Sequence, residues 1–437
     1  DRVTQSAISV RTRPANRKVG RVFLMLTEGE VSQSMAAPLS NIRVLDMSRI
    51  LAGPWAGQLL GDYGADVVKV ERPGHGDDTR QWGPPWLDGR AGGESAYFLC
   101  ANRNKRSVTV DISRARGQQV IRELAASADV LLENYKVGSL KRYGLGPVEL
   151  CALNPRLIYC SISAFGQSGS RAAKPGYDAM IQASAGLMSI TGPAGDDSEG
   201  PQKVGVAVAD IMAGMYATTA VLAALNARAV TGLGQHIDVP LYDSQVAWLA
   251  NQNMNYLVGG EVPQRMGTAH PNLVPYQAFS TRDGNLMLAV GNDRQFAAFA
   301  DCIGRPGLAT DAKFRRNSDR IAHRGELIDL LEPVLATQAT AFWLELLSDK
   351  GVPAGPINSI DTVLTDAYAE ERGLVRQLTN SCGQKVATVS NPVDFSETPV
   401  SYKQAPPLLG EHTDEVLREW LGYSHDLIAE LREQSAI

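Results

Sequence analysis

Residues Ile42–Asp77, IRVLDMSRILAGPWAGQLLGDYGADVVKVERPGHGD, read as strand, tight turn, short helix, second strand, and a loop holding Arg72, two glycines and Asp77. Ile42, Val44 and Leu45 give one short apolar run, and Val67, Val68 and Val70 give another. Between them, Gly53-Pro54 punctuates the chain and Trp55, Leu59 and Leu60 recur at helical spacing. The result is a βαβ unit. Ligands of such sheets bind where loops leave the carboxyl ends of the strands. Neither loop carries a nucleotide fingerprint: no GxGxxG follows the first strand, and the chain contains no GxxxxGK[ST]. This argues against an NAD-type oxidoreductase on the same architecture.

The chain has 437 residues, 44% hydrophobic and 20% charged, which describes a globular protein of two or three domains. Its net charge of −5 supplies neither a basic field for nucleic acid nor a polybasic membrane patch. The uncharged run 211–227 is short for a bilayer span and poor in Leu and Ile, so it reads as a buried helix. Cys100, Cys151, Cys160, Cys302 and Cys382 are scattered without a CxxC, and the histidines are equally dispersed. That pattern fits a reducing compartment and proposes neither a disulfide framework nor a metal site. Residues 1–40 stand apart as a tail, with Arg2, Arg11, Arg13, Arg17, Lys18 and Arg21 against Asp1 alone before Glu28. The segment reads as upstream sequence before a start near Met35, with a cytoplasmic location. The alternative is a transit peptide, whose Arg-rich, acid-poor composition it shares and which would place the protein in the mitochondrial matrix.

Further along, 107–112, 129–132, 157–162 and 235–239 read as strands, and 117–128, 177–190 and 208–230 as helices. This alternation predicts an α/β fold with a doubly wound, mostly parallel, Rossmann-like sheet in a large domain, 41–240. From about Gly260 the texture changes to a hairpin, 277–280 and 285–290, followed by helices at 293–303, 324–336 and 340–350. Residues 260–355 are expected to form a smaller α+β domain, and 370–437 to return to the large one, ending in a helix from Thr413.

Asp210 is the only charge at the head of a long Ala- and Gly-rich helix. One reading is a carboxylate satisfying free N–H groups of the helix end. The other is a covalent nucleophile, held ionised by the helix end, with small neighbours leaving room for a thioester. Tyr177-Asp178 and the block Gly267–Phe279, with His270 and Asn272, are further candidates for touching substrate; capping or loop structure is the alternative for each.

The block Ile42–Asp77, Asn134-Tyr135 after a strand, and the small-residue helix opened by Asp210 together resemble class III coenzyme A transferases of the CaiB/BaiF type. That family includes formyl-CoA, carnitine-CoA and succinyl-CoA:glutarate CoA-transferases. The resemblance runs from about Asn41 to the C-terminus. It implies acyl-CoA:carboxylate CoA transfer, from succinyl-CoA or a similar donor to a small dicarboxylate such as glutarate, through an aspartyl-CoA thioester on Asp210. Coenzyme A thioesters are then substrates, with no permanently bound cofactor and no metal, and the expected assembly is an interlocked homodimer. By the same resemblance Arg72, Val110, Asn134, Tyr135 and Arg142 contact CoA. Two positions depart from the oxalate-linked members: Ser113, beside Arg114, and Pro175, beside Lys174, stand where those have CoA-binding lysines. The alternative activity is that of the related 2-methylacyl-CoA racemases, whose acid/base histidine is replaced here by Tyr177, a poor proton carrier at neutral pH. A catalytically silent CoA-binding protein is disfavoured by the presence of Asp210. The block 267–279 is similar to that of glutarate-type members. A second acceptor carboxylate is expected to meet Arg49, the run Arg103–Arg106, or His270 with Asn272.

Overall fold

The computed structural model describes residues 36–195 and 200–437. Everything below lies within the unit Ala37–Ile437. The expectations for the N-terminal tail fall, up to residue 35, outside the described residues.

Six parallel strands form the central sheet: β1 (Arg43–Asp46), β2 (Asp66–Glu71), β3 (Lys105–Thr109), β4 (Val130–Glu133), β5 (Ile158–Ser163) and β6 (His236–Pro240). Their spatial order is β3-β2-β1-β4-β5-β6, so the chain reverses direction across the sheet between β1 and β4. Consecutive residues of a strand face opposite sides, and both sides are apolar. Leu45, Val68, Val108 and Leu131 meet Val120, Ile121 and Leu124 of the Ala115–Ser127 helix, together with Val416, Leu417 and Trp420. Their neighbours Val44, Val67, Val130 and Leu132 pack against Ala56 and Leu60 of the Ala52–Asp62 helix and Ala213, Ala217 and Val221 of the Val208–Thr231 helix. Helices on both faces make the sheet doubly wound.

The Val208–Thr231 helix is, by length and composition, long and apolar enough to cross a bilayer. Its alanine face is buried on the sheet, whereas Met215, Tyr216 and Leu222 are exposed. Small residues let it approach closely: a Cβ on Gly214 would lie 2.6 Å from the carbonyl oxygen of Ala52. That contact brings the start of one helix beside the start of the other.

Strands β7 (Tyr276–Ser280), β8 (Asn285–Ala289) and β9 (Ala354–Pro356) form an antiparallel sheet. It packs a separate core of Phe279, Leu286, Phe296, Phe299, Leu331, Trp343 and Leu347. A hairpin of β10 (Val375–Thr379) and β11 (Lys385–Val389) completes the strands.

Several boundaries differ from the sequence reading. The helix expected over 177–190 spans only Asp178–Ser184, because Gly186 at φ +93° turns the chain left-handed. The strand expected over 107–112 is Lys105–Thr109, since acidic partners, buried Asp46 for Lys105 and Asp66 for Arg106, neutralise its two leading cations. The last helix breaks at Gly422, φ +68°, into Thr413–Leu421 and His425–Glu433. Helices Leu241–Trp248 and Asn251–Gly259, and the β10–β11 hairpin, were not anticipated.

Candidate active site

The reversal between β1 and β4 leaves a crevice at the carboxyl ends of the strands, where doubly wound sheets bind ligands. Two cavities occupy it. One, of about 230 Å³, is lined by Asp210, Tyr177, Leu51, Ala52, Asn134 and Lys174 among others. The other, of about 280 Å³, is lined by Arg72, Val110, Ser113, Lys69 and Asp77 among others. Arg49, Asp78 and Tyr135 belong to both, so the two are neighbours sharing a wall.

That wall is built by the loops after β1 and β4. The backbone N–H of Arg49 donates to Asn134 Oδ1 at 2.8 Å, and Asn134 Nδ2 donates back to the Arg49 carbonyl at 2.7 Å. The Arg49 guanidinium lies 5.2 Å from the centre of the Tyr135 ring and 3.1 Å from Asp78. Beneath it, Ile50 adopts φ +71°, a conformation costly for a β-branched residue. Its N–H donates to both carboxylate oxygens of Asp77 at 3.2 Å. Asp77 is fixed in turn by the buried ammonium of Lys69, at 2.8 Å, which also donates to the Ser48 carbonyl. Burial would raise the Asp77 carboxyl, but Lys69 and the Thr79 donors outweigh it and hold the group down at about 2. Asp77 is therefore a permanent anion that anchors the loop.

Asp210 occupies the third position of the Val208–Thr231 helix and is partly buried on the cavity wall. It does not satisfy the helix end. Asp178 does, accepting the N–H of Ala209 at 2.8 Å and that of Asp210 at 3.4 Å. Gln182 locks Asp178 from the same helix, donating at 2.7 Å, and accepts the Val204 N–H. The expectation that the helix end keeps Asp210 ionised is thus reversed: burial, and then the Asp178 charge, push its carboxyl up to about 7. A desolvated carboxylate is a stronger nucleophile than a solvated one, and this carboxyl is available in that form near neutrality.

The sequence-derived candidates separate into three groups. Asp210, Tyr177, Asn134 and Tyr135 come together in the first cavity, with Asp178 directly behind Asp210. Arg72, Val110 and Tyr135 meet in the second. Arg142 is exposed over Tyr143 and lines neither. His270 and Asn272 also line neither: His270 stacks on Tyr276 and accepts the Asn272 N–H, while Asn272 pairs with Asn255.

The run Arg103–Arg106 is a correction. Arg103 forms a paired contact with buried Asp62, and Asn104 donates to the same carboxylate. Lys105 is fully buried 2.9 Å from Asp46, and Arg106 joins Asp66, Glu415 and Glu419. All four residues hold the fold together, leaving Arg49 as the member of the expected acceptor cluster that faces the site. One group that senses the Asp210 charge escaped sequence reading: Tyr97, whose hydroxyl is pushed up to about 12 by burial and then by that charge. Its ring packs edge-on against Trp82, 5.1 Å away. No motif or spacing announces that proximity. Among the described residues, no group of three or more His, Cys, Asp or Glu is arranged to hold a metal ion.

The family profile described as CoA-transferase family III matches residues 39–413. The succinyl-CoA:glutarate CoA-transferase of Mus musculus is 44% identical over 394 residues, covering 90% of this chain and 89% of its own. The succinate–glutarate CoA-transferase of Agrobacterium fabrum is 46% identical over 386 residues, covering 87% and 95%. Among solved structures, a CAIB/BAIF family protein from Brucella suis superposes with a TM-score of 0.77 at 45% identity, covering 88% of this chain and all of its own.

Proposed function

The chain belongs to CoA-transferase family III, and on that premise we propose that it moves CoA from succinyl-CoA to a small dicarboxylate such as glutarate. It is a CoA-transferase. The observation that carries the finer reading is Asp210 itself, a desolvated carboxyl on the wall of a cavity that adjoins a second one at the sheet's topological switch.

The chemistry follows from one nucleophile. An oxygen of Asp210 attacks the succinyl thioester carbonyl, the C–S bond breaks, and CoA thiolate leaves a succinyl–aspartyl anhydride. The thiolate attacks the aspartyl carbonyl, releasing succinate and leaving an aspartyl-CoA thioester. The acceptor carboxylate attacks that thioester carbonyl, expelling thiolate and forming a second anhydride. Attack of the thiolate on the acceptor's own acyl carbon returns Asp210 as a carboxylate and releases the new acyl-CoA. Anhydrides hydrolyse readily, so the site must exclude water and offer fixed donors to each developing oxyanion. Burial of Asp210 supports the first requirement, and the small residues Ala52 and Gly176 in its cavity leave room for the thioester.

An interlocked homodimer is part of this reading. Its support is apolar surface without cover in the single chain: Met215, Tyr216, Met254, Tyr256, Leu257 and Val258 are exposed. For the acceptor, one carboxylate reacts and the second needs a cation. Arg49, Lys136 and Lys174 line the Asp210 cavity and supply that charge.

A panel of carboxylate acceptors with succinyl-CoA, followed by mass spectrometry of the acyl-CoA products, tests the assignment. C4 to C6 dicarboxylates should exceed oxalate and monocarboxylates, because they alone carry a second carboxylate far enough from the reacting one to meet these cations. Oxalate or formate leading both dicarboxylates tenfold in kcat/KM would refute the acceptor while leaving CoA transfer standing.

A further inference from the structure

Behind the wall shared by the two cavities runs a chain of side chains that the transfer chemistry does not use. Glu133, the last residue of β4, is 6% exposed, and its Oε2 accepts the backbone N–H of Tyr135 at 2.8 Å. Ser161 of β5 is its register partner, so its hydroxyl stands on the same face of the sheet beside the Glu133 carboxyl and favours its ionised form. Ser161 is fully buried, and its Oγ lies 3.0 Å from Nε2 of His236, the first residue of β6. His236 is exposed. Three adjacent strands thus give one residue each to a line of polar side chains running from solvent to the peptide that carries Tyr135.

No cation pairs with Glu133 among the described residues. Asp238 faces it from β6, Tyr159 and Cys160 lie close on β5, and Tyr135 follows it on its own loop. Burial, and then Asp238, push the carboxyl up to about 7, so that near neutrality it exchanges its proton. When it holds the proton it can donate to Ser161, which then donates to His236, while its other oxygen keeps the Tyr135 N–H.

We propose that Glu133 is a positioning residue for acyl-CoA: its carboxyl fixes the Tyr135 peptide in the wall of both cavities, and Ser161 with His236 forms the route by which it gains and loses a proton. The inference rests on the reading of these cavities as the acyl-CoA site. A neutral Glu133 holds the wall without adding charge. An ionised one places a buried anion directly behind a site that must accept a polyanion, so CoA binding weakens as pH rises through about 7.

Calorimetric titration of free CoA between pH 6 and 8.5 tests this, using Asp210→Asn as the parent so that the nucleophile does not titrate. The ionisation of CoA itself is common to every protein compared. Relative to Asp210→Asn, the Asp210→Asn/Glu133→Gln protein should bind equally at pH 6 and about fivefold or more tightly at pH 8.5. Glu133→Ala in the same background should bind about tenfold more weakly at every pH, having lost the tether on Tyr135. If Glu133→Ala does not fold, the Gln comparison alone decides. Parallel pH curves for parent and Glu133→Gln would overturn the proposal. A parent that binds no CoA at any pH would refute the reading of the cavities, and the role of Glu133 with it.

Discussion

The Asp178 carboxylate accepts the backbone N–H of Asp210 at 3.4 Å and that of its neighbour Ala209 at 2.8 Å. Two acidic residues therefore meet at one helix end with divided tasks. Asp178 receives the stabilisation of the free N–H groups, with Gln182 as a second donor. Asp210 is left with burial and with a like charge beside it, and both disfavour its ionised form.

Under the proposed mechanism, this division sets the pH dependence of transfer. In the proposed mechanism attack requires the Asp210 carboxylate, so single-turnover transfer should rise with pH through a midpoint near 7. Asp178→Asn keeps an oxygen for the helix end and removes the charge, and should move that midpoint to lower pH. Stability changes in the opposite sense. The folded state holds the Asp210 proton more tightly than the unfolded chain, so this group's contribution is complete below about pH 4 and is lost as pH rises through 7. Asp210→Asn should accordingly raise Tm by a few degrees at pH 8 relative to wild type, with the difference vanishing near pH 4. A rate flat from pH 5.5 to 8.5 would contradict the assignment.

The reciprocal hydrogen bonds between Asn134 and the Arg49 backbone give a second test. Asn134→Ala frees the loop after β1 and lets the Arg49 guanidinium leave the Tyr135 ring. Since both residues line both cavities, KM for acyl-CoA should rise about 5–20-fold, with kcat changed less than threefold. Steady-state kinetics at fixed saturating acceptor measures this directly.

Lys105 is expected to behave otherwise. Replacement by Met leaves Asp46 buried at 0% exposure without its nearest cation. Urea unfolding should show a loss of about 3–5 kcal/mol, and the folded fraction should keep its wild-type KM for the acceptor. A selective rise in acceptor KM without loss of stability would restore the Arg103–Arg106 run to the substrate site.

These cases show what could be read in advance. The two valine-rich runs and the Gly-Pro break between them suffice for the βαβ unit, because strand and helix periodicity are local properties. The position of Asp210 at a helix start was legible for the same reason. Its protonation was not, since burial, the larger cause, and the charge of Asp178, 32 residues earlier, both arise from tertiary packing. Distance along the chain also explains the misreading of Arg103, Lys105 and Arg106. Their partners Asp62, Asp46 and Asp66 stand 41, 59 and 40 residues away, so a cluster that in sequence looks available to an acceptor carboxylate is neutralised in the fold. Tyr97 senses the Asp210 charge through tertiary packing alone and leaves no pattern to find.

The central claim is that Asp210 carries CoA covalently. Incubation of the wild-type protein with succinyl-CoA and no acceptor, followed by hydroxylamine and peptide mass spectrometry, tests it most directly. The account predicts a hydroxamate on the Asp210 side chain, absent from Asp210→Asn, and loss of turnover in that variant by at least about a thousandfold. An unmodified Asp210 peptide together with near-normal turnover of Asp210→Asn would contradict it.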